Sequence, residues 1–335
     1  MDGDSPGDPA IPVAAGSGGL LARGKFEDPR VTLDGSPRAT VALGALRTLW
    51  FATGTRCNLA CRRCYIESSP RNDRLAYLSA AEVGAYLDEI ERARLGTVEI
   101  GFTGGEPFLN PGLLAMLGDA LGRGLRVLVL TNAMRPMMRA REGLLGLLGQ
   151  HGDRLVLRVS LDHHTREGHE RERGPRSWEP TLAGLRWLAE QGFAVHVAGR
   201  RASARWVDPA GGEDEAALRA GYARLFRSLG LALDAADPAR LVLFPEMDAA
   251  LDVPEITTAC WERLGKRPGD VMCASSRMVV KRRGAARPVV VACTLLPYDP
   301  RFELGCTLGD ARATVALNHP HCARFCVLGG ASCAG

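Results

Sequence analysis

The feature that most constrains the fold is the alternation of short apolar runs with longer helical patterns between residues 47 and 244. The apolar runs predict six strands, and stretches with a helical period lie between them. This alternation is typical of a parallel sheet covered by helices, so we expect an α/β protein with a (β/α)6 progression. In a parallel barrel the working groups lie at the carboxyl ends of the strands.

The predicted elements divide the chain into three regions. The predicted strands are Arg47–Ala52, Thr97–Phe102, Arg126–Leu130, Leu155–Leu161, Phe193–Ala198 and Leu241–Phe244. The predicted helices lie near Ala80–Arg94 (with Ser79 as N-cap), Gly112–Arg123, Met137–Gln150, Glu179–Gln191 and Glu213–Leu229. Residues 1–45, rich in Gly, Pro, Asp, Ala and Ser, are predicted to be a mobile tail. Residues 46–250 form the predicted barrel, and residues 251–335 a small Cys-rich extension with a hairpin around Arg283-Gly284.

Composition excludes several classes of protein. The net charge of +4 over 335 residues is too small and too dispersed to favour a nucleic-acid partner. No apolar run of 18 residues and no charged segment before an apolar one is present, so we expect neither a membrane span nor a signal peptide, and a cytoplasmic location. Ten cysteines in such a chain, gathered in two groups, indicate metal ligation rather than disulfides.

The first cysteine group follows the first predicted strand directly. Cys57, Cys61 and Cys64 have C-x3-C-x2-C spacing, which places three thiols within eight residues. A zinc site usually takes four ligands, and no fourth Cys or His lies nearby in the sequence. Three thiolates instead leave one iron of a [4Fe-4S] cluster open, where the amino and carboxylate groups of S-adenosylmethionine (SAM) can chelate the metal.

Two motifs together carry a family resemblance. The three-cysteine run followed by Tyr65, and the Thr103-Gly104-Gly105-Glu106-Pro107 run after the second strand, resemble the radical SAM superfamily. The resemblance implies a partial TIM-like barrel and a cluster held by the three cysteines. It also implies that Gly104, Gly105 and Glu106 contact the SAM amino group, because glycines permit close backbone approach and a carboxylate pairs with an ammonium.

The resemblance implies further SAM contacts at the ends of later strands. These residues are Tyr65, Asn132, Ser160, Asp162 and Arg173. Arg173 would pair with the SAM carboxylate, although a solvated charge in the run 166–176 is an equal alternative. Tyr65 would pack near the adenine or in the core, and the backbone of Val195 to Val197 would face the adenine. Asn132, Ser160 and Asp162 are each also consistent with ordinary caps or turns.

The second cysteine group resembles the twitch or SPASM extensions that hold auxiliary clusters in part of this superfamily. The predicted ligands of one auxiliary [4Fe-4S] cluster are Cys273, Cys293, Cys322 and Cys326, with Cys333 as a substitute and Cys260 and Cys306 unassigned. The denser cysteine block of a full SPASM extension is absent, and a zinc site with four thiolates stays open as an alternative.

Several charged or imidazole groups are expected to play no part. His319 and His321 are interpreted as residues of a turn, the pair His163-His164 as surface, and Lys281-Arg282-Arg283 as a solvated hairpin tip.

The resemblance implies reductive cleavage of SAM to a 5′-deoxyadenosyl radical that abstracts hydrogen from a small-molecule or peptide substrate, with oxidation or cross-linking as the outcome. A reductant such as flavodoxin or ferredoxin would be a partner, and neither a nucleic acid nor a membrane would. Two alternatives are a non-catalytic iron–sulfur protein for electron transfer or redox sensing, and a zinc-dependent binding module.

Overall fold

The computed structural model describes residues 19–201, 214–245 and 248–330. The strands are β1 Thr40–Val41, β2 Thr48–Ala52, β3 Glu99–Thr103, β4 Arg126–Thr131, β5 Leu155–Ser160, β6 Ala194–Arg200, β7 Leu241–Phe244, β8 Ser276–Val280, β9 Val289–Val291, β10 Glu303–Gly305 and β11 Val315–Ala316. The main element is a nine-stranded sheet in the order β10-β9-β8-β2-β3-β4-β5-β6-β7, beside a two-stranded sheet of β1 and β11. The α-helices are α1 Ala80–Ala93, α2 Leu113–Gly122, α3 Arg135–Arg139, α4 Arg141–His151, α5 Arg166–Arg173, α6 Trp178–Glu190, α7 Glu215–Ser228 and α8 Cys260–Arg263.

The strands β2 to β7 pair in parallel with their chain neighbours, as the alternation of patterns predicts. β2, β3 and the first five residues of β5 are fully buried, because helices cover one face and the barrel interior the other. Trp50 fills part of that interior, and its ring lies against Gly101, where no side chain would fit. The predicted fold class, a partial α/β barrel with a small extension, is therefore confirmed.

The extension continues the sheet instead of forming a separate layer. β8 adds to the free edge of β2 in parallel, and β9 and β10 follow antiparallel. The turn between β8 and β9 contains Gly284 with φ +77°, a left-handed conformation that favours glycine, as the predicted hairpin requires. The extension is thereby hydrogen-bonded to the strand that precedes the first cysteine group.

Residues 19–45 differ from the mobile tail that composition predicts. Phe26 is 2% exposed, and the buried Arg38 donates from Nη2 to Glu255 Oε1 at 2.6 Å. β1 then pairs with β11 from the other end of the described chain. These contacts are with residues far away in sequence, which local composition cannot reveal. Residues 1–18 lie outside the described part of the chain.

Two helical segments also differ from expectation. The helix predicted over Met137–Gln150 is divided at Ala140 into α3 and α4. α5 was not predicted, because its sequence is strongly charged and only His169 and Glu172 are buried. Its N-cap is Thr165, whose hydroxyl accepts from the backbone N–H of Gly168. Among the described helices, none is long and apolar enough to cross a membrane.

Candidate active site and a second cysteine-lined cavity

The first cysteine loop follows β2 and opens into a cavity at the carboxyl end of the barrel. Cys57, Cys61 and Cys64 all line this cavity, which we call the first cavity. The backbone N–H groups of Leu59 and Ser68 each point at a sulfur, that of Cys57 and that of Cys64, at 3.4 Å. Burial raises the pKa of the Cys57 thiol to about 12 and raises that of Cys61. A bound metal would therefore displace protons when these thiols ligate it.

α5 holds the cysteine loop in place. Arg63 donates from Nε to Glu172 Oε2 at 2.8 Å, and the backbone N–H of Arg62 donates to the Glu172 carbonyl at 2.8 Å. The same helix ends with Arg173, which lines the first cavity. The charged run that sequence leaves undecided is therefore a helix that positions both the loop and Arg173.

The two glycines after β3 lie where no side chain fits. Gly104 has φ +138°, and a Cβ there would collide with the carbonyl oxygen of Gly54. A Cβ on Gly105 would collide with the carbonyl of Arg56, just before the first cysteine. Both glycines line the first cavity, so the backbone of this turn is open to a ligand.

Glu106 lies behind this turn and does not line the first cavity. Its Oε2 accepts from the backbone N–H of Asn132 at 2.9 Å, and its Oε1 accepts from the Thr131 hydroxyl at 2.9 Å and from the Phe108 N–H at 3.3 Å. Burial raises its pKa to about 7, against the opposing effect of these donors. In this structure Glu106 joins the ends of β3 and β4 rather than facing the cavity.

Asp162 pairs with two arginines at the rim of β5. Arg173 Nε lies 3.0 Å from Asp162 Oδ2, and Arg200 Nε lies 3.5 Å from Oδ1. Burial alone would raise the pKa of Asp162, but the charges of Arg173 and Arg200 hold it below its usual value. Arg173 thus faces a carboxylate of the protein, and all three side chains line the first cavity.

The first cavity gathers most of the predicted SAM-binding residues. It is lined by the predicted residues Tyr65, Gly104, Gly105, Asn132, Ser160, Asp162 and Arg173. Two residues of β6, Ala198 and Arg200, line the first cavity. The resemblance implies the backbone of Val195 to Val197, which lies earlier in the same strand. Asn132 also bridges to the cysteine loop, because its Nδ2 donates to Asn58 Oδ1 at 2.9 Å.

Several residues of this cavity were not predicted from the sequence. Arg200 and Phe244 stand at the last positions of β6 and β7, where the strand-end rule could have found them. Leu295 and Phe325 come from the extension and could not have been placed from local pattern.

The extension contains a second cavity, lined by four cysteines. These are Cys273, Cys293, Cys322 and Cys326, the set predicted from sequence. Burial raises the pKa of Cys273 to about 11 and that of Cys322 to about 12, and the Leu295 N–H points at Cys293 Sγ at 3.2 Å. Within the described ranges, no three Cys, His, Asp or Glu side chains are close enough to hold a single metal ion.

Apolar side chains supply most of the remaining surface of this second cavity. They are Val271, Met272, Leu295, Leu296, Phe302, Val315 and Leu317. Leu295 lines both cavities, so it forms part of the partition between them. Cys333 lies outside the described residues. Cys260 and Cys306 do not line either cavity.

Both histidine pairs singled out in the sequence are at least partly buried. His321 lines the second cavity, and its ring centroid lies 4.7 Å from that of His319, with the two ring planes tilted by 56°. His163 and His164 are half-buried and stacked at 4.3 Å, rather than lying on the surface as expected.

The three cations near the hairpin all form ion pairs. Lys281 Nζ lies 2.6 Å from a Glu82 oxygen, Arg282 Nη2 lies 2.6 Å from Glu303, and Arg283 Nη1 lies 3.0 Å from Asp73. They are therefore committed to neighbouring carboxylates and are not a free basic patch.

Part of this chain is similar to known proteins. The chain is 32% identical over 169 residues to the antilisterial bacteriocin subtilosin biosynthesis protein AlbA of Bacillus subtilis (strain 168), which covers 50% of this chain and 35% of AlbA. It is 30% identical over 181 residues to the AdoMet-dependent heme synthase of Oleidesulfovibrio alaskensis, over 52% of this chain and 41% of that protein. The chain thus spans well under half the length of these relatives.

The solved structure of native anSMEcpe with bound AdoMet is similar in fold, with a TM-score of 0.53 and 14% identity over 79% of both chains. The family model of the Radical SAM superfamily matches residues 51–200, the part of the chain that contains the first cysteine loop and the Gly104-Gly105 turn. The match to the Radical SAM superfamily thus covers residues 51–200 of the chain, somewhat less than half of its length.

Proposed function

We propose that this chain is a radical SAM enzyme that binds a [4Fe-4S] cluster through Cys57, Cys61 and Cys64 and binds SAM in the first cavity. One observation carries the proposal: the three thiols share one cavity with the open backbone of Gly104 and Gly105. When bound, the cluster and SAM supply a 5′-deoxyadenosyl radical that abstracts hydrogen from substrate.

The residues of the chain would prepare this cavity in three ways. The N–H groups that point at Cys57 and Cys64 stabilise thiolates, because hydrogen bonds to sulfur favour the charged form. The ion pair of Asp162 and Arg173 lies in the cavity wall, where a ligand that carries both an ammonium and a carboxylate would exchange ion-pair partners with it. The apolar side chains of Phe244, Leu295 and Phe325 exclude water from the cavity.

Glu106 would contribute from behind the cavity. Its carboxylate fixes the Thr131-Asn132 turn by accepting from both residues. Because Asn132 also contacts Asn58 in the cysteine loop, Glu106 helps to align the loop with the ends of β3 and β4.

The proposal is tested by purifying the protein anaerobically, reconstituting it with iron and sulfide, reducing it with dithionite and adding SAM. We expect formation of 5′-deoxyadenosine and methionine. An intact reduced cluster that yields no 5′-deoxyadenosine would leave the non-catalytic iron–sulfur protein as the better hypothesis. In the cell a flavodoxin or ferredoxin would replace dithionite as reductant.

We also propose that Cys273, Cys293, Cys322 and Cys326 hold one auxiliary [4Fe-4S] cluster in a twitch-like or SPASM-like extension. The donor set fits, because four thiols line one cavity and cubane clusters are held by four cysteine thiolates. A variant with Cys57, Cys61 and Cys64 all changed to Ala separates the two sites. We expect it to retain about four irons and acid-labile sulfide, whereas one zinc and no sulfide would establish the zinc alternative.

The substrate is proposed to be a peptide or a small molecule with an apolar part. One relative takes part in bacteriocin biosynthesis and another is a heme synthase, so the relatives support both classes. Phe244, Leu295 and Phe325 would contact the apolar part of either. A true substrate should raise 5′-deoxyadenosine formation above the level seen with SAM alone, and should itself change mass.

A further inference from the structure

Arg277 on β8 is a fully buried arginine beside the second cavity, with a relative exposure of 0%. Its guanidinium donates only to backbone carbonyls: Nε to Ala311 at 2.8 Å, Nη1 to Cys273 at 2.5 Å and to Ser276 at 2.8 Å, and Nη2 to Ala313 at 3.4 Å. Among its partners in the described chain none is a carboxylate.

A buried cation without an anion is unusual, because removing a charge from water is costly unless an opposite charge compensates it. Arginine does not escape this cost by losing its proton, since its intrinsic pKa is too high. The buried Arg38 shows the ordinary solution, with its guanidinium against Glu255. The carbonyl dipoles around Arg277 satisfy its N–H groups, but they supply no full negative charge.

Arg277 is connected to the second cavity through Cys273. Its Nη1 donates to the carbonyl of Cys273, whose thiol lines that cavity. Burial lowers the pKa of Arg277, while Cys273 and Cys293 in their charged form act in the opposite direction. Ligating thiolates would thus provide the negative charge that Arg277 lacks.

We propose that Arg277 is the internal counter-charge of the auxiliary cluster, a positioning residue that raises its reduction potential. The inference rests on the proposed auxiliary site. Net charge and hydrogen bonding near the sulfurs are among the factors that set the potential of an iron–sulfur cluster. A fixed cation stabilises the more negative, reduced form, so its removal shifts the potential to more negative values.

The test uses the full chain with Cys57, Cys61 and Cys64 changed to Ala, so that only the second site contributes to the signal. Arg277→Gln removes the charge and keeps some hydrogen bonding, whereas Arg277→Lys keeps the charge and loses the planar fork. Iron content is counted first, and the midpoint potential is then measured by redox titration followed by EPR. Arg219→Gln serves as control, because Arg219 also donates to two backbone carbonyls, those of Ala235 and Leu241, but neither of these residues lines the second cavity.

We expect a more negative potential in Arg277→Gln, a potential close to the parent in Arg277→Lys, and no shift in Arg219→Gln. If Gln and Lys shift the potential alike, or lose iron alike, Arg277 is only a structural brace and the proposal is overturned. If neither shifts it, the proposal is likewise overturned. A parent that holds no iron at the second site would instead contradict the auxiliary site itself, independently of Arg277.

Discussion

The two cysteine-lined cavities present similar thiols in opposite surroundings. The first has three cysteines, an open glycine turn and the ion-paired Asp162. The second has four cysteines and mostly apolar walls. A set of three thiolates beside polar and charged groups suits a cluster that must also bind an exchangeable charged ligand. A closed set of four in an apolar pocket suits a group that stays bound. This difference is consistent with our proposal that the first cavity binds SAM and the second holds an auxiliary cluster.

The proposed difference in role between the two cavities is tested most directly by replacing one cysteine in each cavity. Cys61→Ala should abolish formation of 5′-deoxyadenosine and leave iron at the second site, because the three-thiolate set is incomplete. Cys322→Ala should remove iron from the second site and leave cleavage of SAM. Iron analysis and product quantification check both, and loss of cleavage in both variants would contradict the division of roles.

Asp162→Asn tests the charged character of the first cavity. Removing one partner of a buried ion pair leaves Arg173 uncompensated, so we expect the free energy of unfolding to fall by about 3–5 kcal/mol. Asp299→Asn is the matched change near the second cavity. Its partner Arg301 is 42% exposed, so we expect a loss of about 1 kcal/mol or less. Chemical denaturation of the metal-free proteins measures both.

The sign of the pH dependence follows from the lowered pKa of Asp162. Its stabilising effect is fully present above its unfolded pKa of about 4 and is lost as the pH falls through the lower folded value. In the Asp162→Asn variant the free energy of unfolding should therefore fall less steeply as the pH is lowered below about 4. An unchanged acid limb would show that the ion pair is not formed in solution.

Leu295→Ala tests the partition between the cavities. Truncation of a buried leucine should cost about 2–5 kcal/mol of stability. Leu296 is the control, since it has the same 5% exposure but lines only the second cavity. In the triple-alanine background, iron should be lost to a chelator faster from Leu295→Ala than from Leu296→Ala. Equal rates would mean that Leu295 does not separate the cavities.

Glu106→Gln is expected to change mainly the pH dependence of the free energy of unfolding. The raised pKa of about 7 means that the folded state holds its proton more tightly than the unfolded chain, so this group makes stability fall as pH rises from about 4.5 to 7. The loss would amount to at most about 3 kcal/mol. Gln keeps an acceptor for Asn132 and does not titrate, so the variant should lack this decline. A parallel decline in both proteins would assign it to another group.

Much of the barrel could be predicted because its strands are locally distinctive. β2, β3 and β5 are apolar runs of five or six residues, bounded by turns, and they lie where sequence predicts them. The pairing of β8 with β2 could not be predicted, because it joins strands that are distant in sequence. The packing of residues 19–45 could not be predicted for the same reason, because Arg38 and Glu255 form an ion pair although they are distant in sequence.

Some features of the first cavity could likewise be predicted from the sequence, and others could not. Cysteine spacing and the Gly104-Gly105 pair mark the cavity in the sequence itself. Side-chain pairing is not visible in the sequence, so neither the position of Glu106 behind the glycine turn nor the ion pair of Arg173 with Asp162 could be predicted. α5 could not be predicted from the sequence, because its buried residues, His169 and Glu172, are of polar types that are ordinarily exposed.

The position of β2 inside the sheet has a consequence for synthesis of the protein. One neighbour, β3, follows soon after it, but the other, β8, is translated much later. At about 5–20 residues per second, the apolar edge of β2 waits on the order of ten seconds or more on the ribosome without its partner. Unpaired strand edges template aggregation, so nascent chains would depend on chaperone protection, and slower growth at low temperature should raise the soluble yield.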